Sequence, residues 1–117
     1  MSYKLIYTLG REVDSEYQMK GSRGDLLLQD ERGNYYEINY ITIERLSYAI
    51  NELNPCYFES NLVVVLNLDF ELIINSIKSL IQQDFIHSNW IPLSQDIVEK
   101  IYFPKEKWLI YELDNSI

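Results

Sequence analysis

The sequence DLLLQDERGNYYEINYI, residues 25 to 41, decides the fold of this protein. In its second arm apolar and polar side chains alternate from Tyr35 to Ile41, which is the period of two of a β-strand. The arms flank the polar link at residues 31–34, whose length and glycine are typical of a hairpin loop. We therefore predict an antiparallel pair of strands at residues 25–30 and 35–41.

The residues before this hairpin divide into two parts. Residues 3–9 alternate in the same way, which predicts a first strand. Residues 10–24 are rich in charge and glycine and show no sustained period, so we expect a long loop there.

Helical periodicity follows the hairpin. Thr42 is a suitable N-cap, and apolar side chains at positions 43, 46, 50 and 53 then fall on one helical stripe until Asn54-Pro55. A helix over about 43–53 is predicted. Asp69 precedes a second apolar stripe, which predicts the longest helix, running to about residue 86.

Two strands and a short helix complete the pattern. Residues 62–66 read LVVVL, which is typical of a strand covered on both faces, and we place it near the middle of the sheet. Ser94 begins a short helix that Pro104 stops, and residues 107–113 form a closing strand that contains Trp108.

The sequence thus predicts an α+β fold and a single domain over residues 1–117. We expect a mixed or antiparallel sheet of about five strands, with two main helices and one short helix. The length of 117 residues is sufficient to bury one core without disulfides or a structural metal.

Charge restricts the possible partners. Ten basic and eighteen acidic residues give a net charge of −8, which repels nucleic-acid phosphates and anionic membranes. Residues 46–99 contain seven acids and one base, Lys78, a net of −6. An acidic surface of this kind favours a basic protein partner, although acidity that serves solubility alone is the simplest alternative.

No catalytic apparatus is evident. His87 is the single histidine, and its expected place at the end of the long helix favours a role in balancing the helix dipole. Cys56 is the single cysteine, which we expect to be a small, partly buried side chain in a reducing cytoplasm. The carboxylate pairs, such as Asp30 with Glu31, are expected to be solvated at turns or to cap helices. We predict no enzyme, cofactor or metal site.

Tyrosine is unusually frequent, with ten residues, and it supplies much contact area at protein interfaces. Several tyrosines adjoin acids, as in Cys56-Tyr57-Phe58-Glu59. We predict a partner-binding surface composed of Glu52, Tyr57, Glu59, Asp69, Glu71 and Asp84.

This combination of small size, acidity and the Cys56-Tyr57-Phe58-Glu59 segment resembles the immunity proteins of bacterial polymorphic toxin and contact-dependent growth inhibition systems. The resemblance implies a cytoplasmic protein that binds a cognate toxin, often a basic nuclease, and blocks its active site or substrate groove. Two alternatives stay open. One is a nucleic-acid-mimicking inhibitor or adaptor from a mobile element, and the other is a small carboxylate-based hydrolase.

Overall fold

The computed structural model describes residues 3–7, 18–53, 55–102 and 105–113. The fold is α+β, as predicted, with one five-stranded sheet in the order β4-β3-β2-β1-β5. All neighbouring strands are antiparallel except β3 and β4, which are parallel. The strands are β1 Tyr3–Tyr7, β2 Ser22–Gln29, β3 Tyr35–Thr42, β4 Leu62–Val65 and β5 Leu109–Leu113.

The helices occupy the connections. They are α1 Ile43–Tyr48, which continues as a π-helical turn Ala49–Leu53, then α2 Phe70–Gln82, α3 Phe85–Asn89 and α4 Gln95–Ile101, with a 3₁₀ turn at Lys105–Lys107. The predicted caps at Thr42 and Ser94 are confirmed. The Thr42 hydroxyl accepts a hydrogen bond from the Arg45 amide at 3.1 Å, and the Ser94 hydroxyl accepts one from the Ile97 amide at 3.2 Å.

The predicted hairpin is confirmed as β2 and β3, but β2 begins earlier than expected. Its first residues, Ser22 and Arg23, pair with β3, and the register then shifts between Arg23 and Leu26. A shift of this kind is a β-bulge, which adds residues to one strand without ending the pairing. The expected loop at 10–24 therefore ends in a helical turn at 18–20 and in β2, while residues 10–17 lie outside the described residues.

The alternation of the strands sorts their side chains onto two faces. On one face, which we call the α2 face, Leu5, Leu28, Ile38 and Tyr40 join the apolar side of α2 in the main core. On the other face, the α4 face, a smaller core forms in which Ile6, Leu27 and Tyr35 pack with Val98 of α4. Both faces are thus covered at the centre of the sheet.

The placement of β4 corrects the sequence-based prediction. We expected this strand near the middle of the sheet, but it is an edge strand that pairs only with β3. Val64 is 45% exposed and Leu66 is 75% exposed, while Val65 is buried. A run of β-branched residues favours a strand but does not decide how many neighbours it acquires.

The first helix also differs from its predicted stripe. Ile43 is 56% exposed and Ile50 is 39% exposed, whereas Ala49 is buried. After Tyr48 the chain changes to π-helical hydrogen bonding, which turns later residues away from the stripe that a regular α-helix gives.

Two further boundaries were predicted wrongly. The long helix ends at Gln82 rather than near residue 86, because Asp84 adopts a left-handed conformation with φ of 53° that a right-handed helix cannot include. Trp108 lies before β5 and is only partly buried, with its ring 5.8 Å from that of Tyr35.

Candidate functional site

Asparagines hold the loop before β4 against β3. The Asn61 side chain donates a hydrogen bond to the Glu37 carbonyl at 2.7 Å, and the Asn39 side chain donates one to the Ser60 carbonyl at 2.8 Å. The Asn39 amide also donates to the Asn61 carbonyl. Asn61 has a positive φ of 50°, a conformation that asparagine tolerates better than most residues. This loop end is therefore fixed to the sheet.

The aromatic-acidic segment projects from this fixed loop. We call residues 56–59 the aromatic loop. The Tyr57 hydroxyl donates a hydrogen bond to the Glu59 carboxylate at 2.9 Å, while Phe58 is 87% exposed. Partial burial, and then the nearby Glu59, raise the pKa of Tyr57. Cys56 is exposed, so the expectation of a partly buried cysteine was wrong.

The six predicted binding residues do not form one cluster. Glu59 precedes β4 and Asp69 follows it, so the four residues of that strand, about 13 Å of chain, separate them. Glu71 lies with Asp69 at the start of α2, whereas Asp84 follows its far end, about 20 Å away along 13 helical residues. The structure brings Tyr57 and Glu59 together and leaves the other acids on separate parts of the surface.

All of these candidate side chains are nevertheless accessible. Every acid between residues 46 and 99 is exposed, namely Glu52, Glu59, Asp69, Glu71, Asp84, Asp96 and Glu99. Lys78, the base of this segment, is only partly exposed. The negative charge of the segment is therefore presented to solvent.

Below the aromatic loop, a groove of about 330 Å³ opens on the α4 face. Glu37 of β3 lines the groove between two walls. One wall is Ser60 and Asn61, and the other is the chain from Asn89 through Ile97. The Leu93 amide donates a hydrogen bond to the Tyr35 carbonyl at 2.7 Å, so both walls are tied to β3.

Glu37 is a partly buried residue that lines this groove. Within the described parts of the chain, its carboxylate makes no hydrogen bond or ion pair. Its charge acts on Tyr102, whose pKa is raised to about 12 by burial first and by Glu37 second.

A larger depression, about 380 Å³, lies beside α1 and includes Lys20, Glu44 and Arg45. The charges there partly compensate one another, and the Arg45 guanidinium lies over the Tyr48 ring at 5.0 Å. This arrangement favours a stabilising role for Arg45.

A second group of polar residues surrounds Asp30, whose side chain is fully buried. Its carboxylate accepts hydrogen bonds from the Arg32 amide, from the Asn34 amide and side chain, and from the Tyr36 hydroxyl. Nε2 of His87 lies 3.2 Å from the same carboxylate. The expectation that Asp30 is solvated at its turn was therefore wrong.

The pKa of Asp30 reflects these contacts. Burial alone would raise it, but the hydrogen bonds from Asn34, Arg32 and His87 outweigh burial and lower it. Burial, and then the charge of Asp30, raise the pKa of Tyr36 to about 12. A general acid at neutral pH needs a raised carboxyl pKa, so this direction weighs against the hydrolase alternative.

His87 does not lie at the end of the long helix, as the sequence suggested, but in the last turn of the short helix α3, beyond the turn at Asp84. Its Nε2 contacts the Tyr3 hydroxyl at 3.1 Å as well as Asp30, and its Nδ1 lies 3.4 Å from Asp84. The contacts of Nε2 with Tyr3 and Asp30 tie the ring to β1 and to the hairpin turn. We therefore assign His87 a structural role that joins α3 to the hairpin.

The comparisons with known proteins give no family for this chain. No protein-family model matches the sequence, and no match was found among curated proteins or solved structures. Among the described residues, no group of His, Cys, Asp and Glu could hold a metal ion, and no helix is long and apolar enough to span a bilayer.

Sequence reasoning missed the Glu37 groove and the Asp30 cluster. The local sequence contained a signal for the position of Asp30 and for that of Glu37. Asp30 stands four residues before Asn34 in a glycine-containing turn, which is the setting in which aspartate side chains bind turn amides. Glu37 alternates with the core residues of β3, which places it on the opposite face from Tyr36. The contacts with His87 and Asn89 left no local pattern.

Proposed function

We propose that this protein is an immunity protein that binds a cognate bacterial toxin domain and neutralises it by blocking its active site. The proposal is supported by one observation above all. All seven acids of residues 46–99 are exposed, and one of them, Glu59, lies in an aromatic segment whose Phe58 side chain is 87% exposed. Exposed aromatic side chains supply contact area, and the exposed acids supply steering toward a basic partner.

The proposed partner is a basic nuclease domain. A nuclease presents cationic groups to the phosphates of its substrate, and a surface of carboxylates can occupy the same groove. The aromatic loop is the best candidate for the centre of contact, because its base is fixed by Asn39 and Asn61 and its Phe58 side chain is 87% exposed. A fixed loop loses little conformational entropy on binding.

The proposed location is the cytoplasm, where a thiol such as the exposed Cys56 stays reduced. The proposed activity needs no cofactor or metal, since binding alone excludes the substrate.

The test is affinity capture of the tagged protein from its native cells at low salt, followed by elution at high salt and identification of the eluted protein. We expect one stoichiometric basic partner, released by salt, whose expression alone arrests growth and whose toxicity is abolished by co-expression of this chain. The neutralised variant, Glu59→Gln/Asp69→Gln/Glu71→Gln, should capture less partner at the same salt.

The outcome also separates the alternatives. A host nucleic-acid enzyme as the captured protein, without toxicity, would favour the mobile-element inhibitor. Capture that is unchanged in the neutralised variant would favour acidity that serves solubility alone. No partner at any salt would remove the proposal.

A further inference from the structure

We infer that the Glu37 groove is a recognition pocket for an arginine side chain of the basic partner. The source of the arginine rests on the proposed function, whereas the pocket follows from the contacts of the described residues.

The first step is the charge. Glu37 brings a negative charge to the groove, and no basic residue is among the described residues that line it, which are Glu37, Ser60, Asn61, Asn89, Ile91, Pro92, Leu93, Ser94 and Ile97. Glu59 and Asp96 adjoin the lining residues Ser60 and Ile97 in sequence and are exposed. The local potential is therefore negative, which favours a cation in the groove.

The second step is the orientation of the asparagine amides. The Asn61 Nδ2 atom donates to the Glu37 carbonyl at 2.7 Å, and the Asn89 Nδ2 atom donates to the Phe85 carbonyl at 2.9 Å. Carbonyl oxygens only accept, so the donor end of each amide is fixed by its partner. Each Oδ1 atom is left as an acceptor. The residues that line the groove therefore include one acid and two asparagines with an amide oxygen available to accept a hydrogen bond.

The third step is the shape of the ligand. A guanidinium has five N–H donors and no acceptor, and its planar fork suits several acceptors at once. Ile91 and Ile97 are 83% and 40% exposed and provide apolar surface for the aliphatic part of the side chain. A volume of 330 Å³ is at the small end of ligand sites, which fits one long side chain.

The experiment is an NMR titration of the ¹⁵N-labelled full chain with N-acetyl-arginine methylamide. The matched probes are N-acetyl-citrulline methylamide, which lacks the charge, and N-acetyl-lysine methylamide, which lacks the fork. We expect saturable shifts at the amides of Glu37, Asn61 and Leu93 with the arginine probe, at least tenfold weaker binding of the lysine probe and no saturation with citrulline.

Two variants locate the effect. Glu37→Gln should weaken arginine binding at least tenfold, whereas Glu44→Gln, which makes the same charge change at the exposed start of α1 outside the groove, should leave it unchanged. Ile91→Ala serves as a second groove variant that cannot disturb the core, because Ile91 is 83% exposed, and it should weaken binding about threefold.

Equal weakening by Glu37→Gln and Glu44→Gln would overturn the inference, as would shifts that centre elsewhere or equal responses to arginine and citrulline. A lysine response equal to that of arginine would overturn the assignment of a guanidinium. The probes are single amino-acid derivatives, so a lack of arginine-probe binding does not alter the result of the partner capture. Conversely, failure to capture any basic protein removes the proposed function whatever the groove binds.

Discussion

Nε2 of His87 lies 3.2 Å from Oδ2 of Asp30, which connects two residues that are 57 positions apart in the chain. Asp30 also binds the amides of its own hairpin turn and the hydroxyl of Tyr36 in β3. One buried carboxylate therefore joins the turn, the third strand and the helix α3. The cluster secures the end of the sheet from which the Glu37 strand begins.

Asp30→Ala is expected to lower the free energy of unfolding by about 3 kcal/mol, because it leaves buried donors without an acceptor. Chemical denaturation followed by circular dichroism measures the change. Asp84→Asn is the matched control, since its side chain is 72% exposed although it also faces His87, and asparagine tolerates the left-handed backbone there. It should cost less than about 0.5 kcal/mol. Equal costs for the two variants would contradict a central role for Asp30.

The stability of the protein should depend on the ionisation of Asp30 at acid pH. Its folded-state pKa is lower than the ordinary value of 3.8, so its stabilising contribution is fully present above that value. The contribution is lost as the pH falls through the lower folded-state pKa. The difference in unfolding free energy between wild type and Asp30→Asn should therefore shrink as the pH falls from about 4 to 2. A difference that grows over this range would refute this assignment.

Gly21→Ala should destabilise the protein by about 1 to 3 kcal/mol. Gly21 has a φ of 81°, and an added Cβ atom would lie 2.7 Å from the Cβ atom of Arg45. Both backbone strain and a collision with α1 result. Gly33 provides the comparison, because its φ is 89° but its nearest contact would be 3.9 Å away. Thermal unfolding should show a larger loss for Gly21→Ala than for Gly33→Ala.

Charge reversal at residues on either side of β4 should show which end of this strand contacts the partner. Glu59→Lys, which changes the aromatic loop, is expected to slow association with the proposed basic partner about tenfold at low salt. Asp69→Lys, at the start of α2, should have a smaller effect because that residue lies beyond the opposite end of the strand. Stopped-flow or biosensor kinetics at two salt concentrations test this. A larger effect of Asp69→Lys would move the contact surface to the start of α2.

Ile77→Ala should lower the free energy of unfolding by about 2 to 5 kcal/mol, since this fully buried side chain of α2 leaves a cavity when truncated. Ile110→Ala in β5 is the control, because its side chain is 52% exposed. Its cost should be within about 0.5 kcal/mol. Denaturant midpoints of both variants provide the comparison, and similar values for the two would be inconsistent with the observed core.

Much of the fold could be predicted from local pattern. Alternation identified the hairpin and the first strand, and helical spacing identified α2, whose buried residues Phe70, Ile73, Ile74 and Ile77 belong to the predicted stripe. The caps at Thr42 and Ser94 were also correct. These features depend on neighbours one to four residues away, so the sequence contains them directly.

The candidate site was predicted less well. Tyr57 and Glu59 are in contact as two members of the predicted surface, but the surface as a whole is divided by β4 and α2. The Glu37 groove requires the meeting of β3, the loop before β4 and the segment before α4. Such a meeting depends on strand order, which sequence spacing does not contain.

By itself, then, the sequence determined the α+β class, the hairpin, the main helix and the exposed acidic character of residues 46–99. Only the tertiary structure decided that β4 lies at an edge, that Asp30 is buried against His87, and that Glu37 stands in a groove between two asparagines. The physical reason is the distance along the chain over which each kind of interaction acts. Propensity and periodicity act between near neighbours, whereas burial and pairing are set by which distant surfaces the chain brings together.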